Sequence, residues 1–469
     1  MNKVKTRFAP SPTGFLHIGG LRTALYSYAF AKSHQGKFIL RIEDTDQRRL
    51  VAGATEKILE NLKTFGLNWD EGPQVDGPFA PYIQSQRAGA GIYKKYADKL
   101  LANGQAYYCF CPPESQEVIQ KRHQEKEIKL RDECRNLTPA QLKRKMRSGI
   151  APAVRLRVPD NQKVSFRDFV LGKEISWETN HIDEVMLLKS DGFPTYHLAV
   201  VVDDSLMEIS HIIRGRDWLP STSVHLLLFD YLGFERPQIG HLTDILDPKG
   251  GKLSKRKGSV SVEEFLAEGY LPEALLNFIM LLGWAPKDDR EIFSLSEFVD
   301  NFSKGHLQIS NPVFNRKKLD WFNGYYLRQK SDKELLLLIK PFALAKAEEK
   351  VLEKVIPLVK ERITKLSDFT SLAGFFFERP KVKLELFKSL EYKKFLSEAV
   401  RVLQETEPWT NENIQKKLGT LMKEKGWQIG NFYMAFRIAL TGSRFTPPIT
   451  ESAVILGKKE TLFRLNLLI

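Results

Sequence analysis

The stretch FAPSPTGFLHIGG, Phe8 to Gly20, decides the reading of this chain. It sets two prolines, three glycines and one histidine between an extended segment, Lys3 to Ala9, and a run that is apolar at helical spacing, Leu21 to Ala31. Pro10 to Thr13 break the strand. Gly36 ends the helix, and a second strand, KFILRIEDTD from Lys37, runs into an acidic tip at Glu43, Asp44 and Asp46. Strand, glycine-rich turn, helix and strand form the mononucleotide-binding half of an α/β, doubly wound parallel sheet, in which ligands gather at the carboxyl ends of the strands. That order places the turn after Ala9 beside Glu43. At His17 to Gly20 the backbone N–H groups and the dipole of the helix start can face a phosphate, and the glycines permit close approach. His17 adds a side-chain donor there; taken alone, it reads equally as a helix-capping residue.

Far downstream, KLSKRKG places Lys252, Lys255, Arg256 and Lys257 in a short run flanked by Gly250, Gly251 and Gly258. Taken alone it is a solvated charge run. Paired with the turn, it predicts a nucleotide site closed by a basic loop, whose cations stabilise the charge that develops when pyrophosphate leaves ATP.

The remaining composition narrows the class. A chain of 469 residues is too long for one core and predicts roughly three to five structural units. With 42% hydrophobic and 27% charged residues it reads as globular and not disordered. No apolar run reaches the ~18 residues of a membrane helix, and MNKVKTRF lacks the apolar core of a signal peptide, so a cytoplasmic protein with no membrane partner is expected. A net charge of +14 favours a polyanionic partner. Three cysteines, an odd number, argue against a secreted disulfide scaffold.

Along the chain, Tyr107 to Arg157 is polar and strongly charged, with helical runs such as QEVIQKRHQEKEIKLRDE and PAQLKRKMRSG, and reads as an insertion. DEVMLLKSDGFPTYHLAVVVDD, Asp183 to Asp204, and HIIRGRDW, His211 to Trp218, read as further parallel-sheet segments, so the nucleotide domain is split. EALLNFIMLLGW, Glu273 to Trp284, reads as a buried helix, and from Lys330 onward amphipathic helices predict an all-helical unit.

In the order FAPSPTGFLHIGG, RIEDTD, SDGFPTYHLAVVVDD, KLSKRKG, the chain resembles the bacterial-type glutamyl-tRNA synthetases, class I aminoacyl-tRNA synthetases, over essentially its whole length. The resemblance implies a Rossmann-like catalytic domain at 1–106 and 187–250, an inserted acceptor-binding domain at 107–186, a basic-loop and stem-contact region at 251–330, and a helical anticodon-binding region at 331–469. It implies ATP-dependent activation of L-glutamate to glutamyl-adenylate and transfer to the 3′-terminal adenosine of tRNA(Glu), with Mg2+ accompanying ATP, by a monomer. No covalent nucleophile is required, in keeping with the absence of a recognisable Ser-His-Asp or Cys-His arrangement. By similarity, Arg7, Ala9, Ser11, Glu43, Tyr196 and Arg214 line the glutamate pocket, Glu43 holding the ammonium and Arg7 or Arg214 the side-chain carboxylate. His17, Gly19, Gly20, Asp217, Trp218 and Lys255 correspond to ATP contacts, and His17, Lys255 and Lys252 to the catalytic set. Arg216 stands where an acidic residue is common and Val200 where some members have asparagine; neither is assigned a substrate contact.

Arg362, in VKERITKL, aligns with an arginine that reads the last anticodon base, and reads equally as an exposed helix arginine. Cys109, Cys111 and Cys134 resemble a zinc site of some members, but the usual fourth ligand is replaced by Asn136, a poor one. His123 or water is the alternative ligand; the sequence favours three reduced structural cysteines and no metal. The alternatives in function are an enzyme that also, or only, glutamylates tRNA(Gln), a small-molecule adenylyltransferase, and an inactive RNA-binding paralogue.

Overall fold

The structure, a computed structural model, describes residues 4–112, 132–254, 260–303, 305–388 and 390–469. It divides into two compact units, residues 1–264 with 276–315, and residues 265–275 with 316–469.

In the first unit β1 (Lys5–Phe8) and β2 (Lys37–Leu40) pair in parallel, Thr6 opposite Phe38 and Phe8 opposite Leu40, joined by α1 (Ile18–Ser33). The last three residues of each strand are buried, as a helix-connected parallel pair covered on both faces requires. Gly36 permits the tight return, since a Cβ there would stand 2.0 Å from the Val4 carbonyl oxygen. Pairing continues beyond the strands: Arg41 N–H donates to the Phe8 carbonyl at 3.1 Å and Glu43 N–H to the Pro10 carbonyl at 3.0 Å. The acidic tip and the proline turn are thus held side by side.

β3 (Ala106–Cys109) pairs antiparallel with β4 (Ala153–Leu156), β5 (Lys163–Asp168) forms a hairpin with β6 (Lys173–Glu178), and β7 (Met186–Leu188) returns antiparallel to β4. β8 (His211–Gly215) and β9 (Gln238–Leu242) make a second parallel pair, Arg214 opposite His241. Ser210 N–H donates to the Lys5 carbonyl at 3.0 Å, which brings β8 alongside β1. Gly240 lets the turn after β5 lie directly on β9, because a Cβ would meet Val170 at 2.4 Å and the Phe169 ring at 2.8 Å.

Asp183 to Asp204 departs from the parallel-sheet expectation. Only Met186–Leu188 is a strand, and it is antiparallel; Tyr196–Leu206 is an α-helix. Leu198 to Val202 are all at most 2% exposed. A β-branched run covered on every side carries the same pattern whether it is a central strand or a buried helix, and periodicity alone does not separate them. Glu273 to Trp284 is helical only over Pro272–Met280, and Trp284 pairs opposite Leu307 in a two-residue strand. In the polar insertion, Pro139–Met146 is a helix with a Thr138–Gln141 capping box, whereas most of QEVIQKRHQEKEIKLRDE lies outside the described residues.

The second unit holds two apolar cores. One gathers Leu335, Ile339, Leu352, Val355, Val359 and Phe369; the other gathers Leu396, Leu403, Ile414, Leu418, Phe432 and Phe436. Its helices carry their own boundary signals, among them the Ser331–Glu334 capping box and Gly426 at φ 66° after Asn411–Lys425. Among the described residues no helix is long and apolar enough to cross a membrane.

Candidate active site

A cavity of about 510 Å³ opens in the first unit at the carboxyl ends of β1 and β8. Its walls include Arg7, Ala9, Ser11, Glu43, Tyr196 and Arg214, the residues expected at an amino acid. They also include His17, Gly19, Gly20, Asp217, Trp218 and Lys252, six of those expected at the nucleotide and the reacting phosphate. Lys255 lies outside the described residues. Arg216 lines the same cavity, whereas Val200 is buried in its helix at 2% exposure.

His17 is the N-cap of α1, its Nδ1 accepting the Gly20 N–H at 3.2 Å. The capping alternative is therefore realised, and it fixes chemistry: with Nδ1 an acceptor, the neutral ring carries its proton on Nε2. The turn is stitched to the far end of the basic loop, since Ile18 N–H donates to the Val260 carbonyl at 3.0 Å and Val262 N–H to the Leu16 carbonyl at 2.9 Å. The near end is held as well, Leu253 N–H donating to the Ile245 carbonyl at 2.9 Å. Lys252 is bound between Asp217 and Asp244, 3.0 Å from the latter, and these carboxylates raise its ammonium above the ordinary lysine range although burial opposes them.

Behind Arg7 and Glu43 lies a buried ion network. Arg7 donates from Nε and Nη2 to Asp204 at 3.1 and 3.2 Å, and Arg41 from Nη1 to Asp204 at 2.7 Å and from Nη2 to Glu43 at 2.8 Å. Asp203 takes Arg87 Nε at 2.7 Å, Gln84 Nε2 at 2.9 Å and the Tyr93 hydroxyl at 2.8 Å. Burial alone would raise the Asp204 carboxyl, but Arg7 and Arg41 overcome it and hold Asp204 below the usual carboxylate range. Glu43 goes the other way: burial pushes its carboxyl up against the pull of Arg41. A further cation at Glu43 would therefore be well received.

Arg214 is buried without an acid. Among the described residues its guanidinium has no carboxylate partner, and its bonds go to His241 Nε2 at 3.0 Å, Thr222 Oγ1 at 2.7 Å, His225 Nδ1 at 3.2 Å and the Tyr196 hydroxyl at 3.5 Å. Burial and the Arg214 charge hold His225 well below the ordinary imidazole range, and His197, 3.3 Å beyond it, is pushed down to about 4. The surrounding imidazoles are neutral at physiological pH and leave the guanidinium charge open to the cavity. An anion is the missing partner.

Elsewhere, the Cys109, Cys111 and Cys134 sulfurs lie within 4.8 Å of one another, with Cys109 and Cys134 buried. Three thiolates at that spacing match three corners of a zinc tetrahedron. Asn136, where the fourth ligand was sought, is exposed, and His123 lies outside the described residues. Arg362 belongs to the second unit, is exposed, and sits close enough to Arg437 for its charge to join burial in lowering that guanidinium's pKa.

Sequence reasoning assigned no role to Arg41, Asp203, Asp204, Asp168, His225 or His241. Arg41 and the two aspartates lay inside RIEDTD and VVVDD, the quoted motifs. His241 was findable from the rule already used for Glu43, being the penultimate residue of a parallel strand; Asp168 carried no local signal.

Comparison with known proteins places the family. Residues 3–321 match the model of the class I tRNA synthetase (E and Q) catalytic domain, and residues 334–469 match an anticodon-binding domain. The chain is 41% identical to the glutamate–tRNA ligase of Treponema denticola, covering 99% of this chain and 98% of the relative. Solved structures of glutamate–tRNA ligases from Elizabethkingia meningosepticum, in complex with its amino acid, and from Elizabethkingia anophelis superpose with TM-scores of 0.84 and 0.86, at 34% and 35% identity over 99% of each chain. By its catalytic motifs, its fold and its full-length relatives, this chain belongs to the class I tRNA synthetases of the glutamate and glutamine branch.

Proposed function

We propose that this chain is a glutamate–tRNA ligase that activates L-glutamate with Mg-ATP and passes the glutamyl group to the 3′-terminal adenosine of tRNA(Glu). The observation that carries the reading is the unneutralised Arg214 guanidinium in the same cavity as the buried Glu43 carboxylate. The two ends call for a small molecule with a carboxylate at one end and an ammonium at the other. Arg7, committed to Asp204 through Nε and Nη2, adds a second donor at the wall.

An α-carboxylate oxygen of glutamate attacks the α-phosphorus of ATP, an O–P bond forms, the bond to the β-phosphate oxygen breaks, and pyrophosphate leaves. The His17 Nε2–H, the backbone amide of Gly19 and the Lys252 ammonium supply donors for that charge, with Lys255 joining them, while Gly20 fixes the His17 ring. Trp218, tilted against Tyr196 at a centroid distance of 4.4 Å, provides the wall between nucleotide and amino acid. In the second step a ribose hydroxyl attacks the glutamyl carbonyl carbon and AMP leaves. No protein nucleophile enters either step.

The division at 107–186 for the acceptor arm and 331–469 for the anticodon, with Arg362 at the last base, a cytoplasmic location and a monomeric state belong to the same proposal. The family's anticodon-binding domain at 334–469 supports it, as does the net charge of +14, which suits a polyanion. Charging assays with purified tRNA(Glu) and tRNA(Gln) test the function. Glutamate-dependent charging of tRNA(Glu) is expected; charging of tRNA(Gln) alone would overturn the assignment.

A further inference from the structure

Arg214 is held by neutral acceptors, and one of them has no freedom in the role. A guanidinium donates and never accepts. His241 Nε2, 3.0 Å from Arg214 Nε, is therefore the unprotonated nitrogen of its ring. The proton sits on Nδ1, which faces Asp168 Oδ2 at 2.7 Å. Both residues are fully buried. The other Asp168 oxygen, Oδ1, accepts three backbone N–H groups, from Val170 at 3.0 Å, Leu171 at 2.9 Å and His241 itself at 3.3 Å. Three donors fix which oxygen faces the backbone and which faces the imidazole.

The consequence reaches the cavity. His241 and Thr222 occupy the Nε–Nη2 edge of the Arg214 fork, at 3.0 and 2.7 Å, while Nη1 rests on His225 and Tyr196. One N–H, the second on Nη2, is left unengaged, and the Nη1 N–H on the Tyr196 hydroxyl, at 3.5 Å the longest of the four contacts, is the one a ligand takes over; the two are presented as a rigid pair of donors. A carboxylate meets such a pair with two acceptors. A carboxamide meets it with one acceptor and one NH2, so a donor faces a donor. A guanidinium free to swivel would relieve that clash by offering a single N–H; a locked one does not.

We propose that Asp168 and His241 are positioning residues for substrate choice: through the imidazole tautomer that Asp168 selects, they lock the Arg214 guanidinium in the orientation that accepts the side-chain carboxylate of glutamate and rejects the carboxamide of glutamine. This rests on the reading of Arg214 as the carboxylate partner. Neither residue touches the substrate, and both act through Arg214.

Asp168→Asn is nearly isosteric and inverts the tautomer. The backbone donors require an oxygen at the Oδ1 position, so the new NH2 must face His241 Nδ1. That nitrogen then accepts, the ring proton moves to Nε2, and two donors confront each other at Arg214. In tRNA(Glu) charging by the full-length enzyme, D168N is expected to raise KM for glutamate about tenfold or more, with kcat and KM for ATP within about twofold. The ratio of glutamate to glutamine kcat/KM should fall by a similar factor. His241→Gln keeps an acceptor within reach of Arg214 Nε and has no tautomer to set, so adding D168N to it should change KM for glutamate by less than about twofold.

A glutamate KM of wild-type size in D168N, or the same penalty for D168N in both backgrounds, overturns the proposal. Should D168N not fold, H241Q against His241→Leu decides: a higher glutamate KM in H241L alone supports the lock, and equal values overturn it. Arg214→Gln separates this from the parent reading. If R214Q charges with an unchanged glutamate KM, the parent reading falls; if R214Q loses glutamate while D168N does not, only the positioning proposal falls.

Discussion

Replacing Asp204 with asparagine should both loosen the first unit and weaken glutamate binding. Asp204 is 2% exposed and accepts from Arg7 twice and from Arg41 once. The buried network holds three guanidiniums, Arg7, Arg41 and Arg87, against three carboxylates, Glu43, Asp203 and Asp204. Asparagine leaves that set with one uncompensated positive charge and turns an NH2 toward at least one guanidinium donor. Breaking a buried pair by removing one partner costs about 3–5 kcal/mol. With a urea slope of about 3 kcal/mol/M, the midpoint of the first unit's transition should fall by roughly 1 to 1.7 M. The surplus charge beside Glu43 also repels the incoming ammonium, so KM for glutamate should rise by about tenfold, with kcat less affected. Arg7→Met in the D204N background removes the orphaned guanidinium and should restore part of the lost stability. A D204N midpoint within about 0.2 M of wild type, or a double variant no more stable than D204N, would refute the network as a stabilising device.

Two further outcomes follow from the buried imidazoles and the thiols. His197, pushed down to about 4, and His225 and His241, lowered by burial, bind protons in the unfolded chain before they do in the folded one. Stability is therefore full above about pH 6.5 and is lost as pH falls toward 4, by at most about 3 kcal/mol from His197 alone, while Glu43, raised by burial, opposes part of the loss. Urea midpoints at pH 7, 6 and 5 should decline in that order; a flat profile contradicts the neutral-imidazole shell around Arg214. For the cysteines, no fourth ligand joins the cluster among the described residues, and we expect well under one zinc per chain in elemental analysis of purified protein, and three thiols titratable after unfolding. Stoichiometric zinc, lost in Cys134→Ser, would mean that the described residues omit a ligand.

How far the sequence carried depends on where each signal resides. The turn from Phe8 to Gly20 announced itself because prolines, glycines and a capping histidine must stand at fixed offsets for a strand to enter a helix beside a ligand, and β1, α1 and β2 follow that order. Glu43 was legible because its place at the end of a parallel strand is a topological matter. VVVDD was misread as strand because burial on all sides erases periodicity, and the error concealed why its two aspartates exist: helix Tyr196–Leu206 turns Asp203 and Asp204 inward as counter-ions for Arg87, Arg7 and Arg41. Asp168 was beyond reach, since its relation to Arg214 passes through His241, across 73 and 27 positions of sequence, and depends on Gly240 letting one turn settle on one strand.

The two sides of the cavity bear on the same physical question, which is how one cavity holds both signs of charge without neutralising itself. At Arg7 and Arg41 the answer is pairing: each guanidinium has an acid, and the surplus capacity of the cluster is the Glu43 carboxylate, which burial leaves receptive to a cation. At Arg214 the answer is the reverse: among the described residues every neighbour within hydrogen-bond reach is neutral, and the two closest imidazoles are kept so by the low dielectric and by the guanidinium itself. An acid placed at His225 or Thr222 would stabilise Arg214 and occupy the role of the substrate. The structure keeps the buried charge without an acid, at a cost in folding stability, and a bound ligand recovers that cost only when it is a carboxylate.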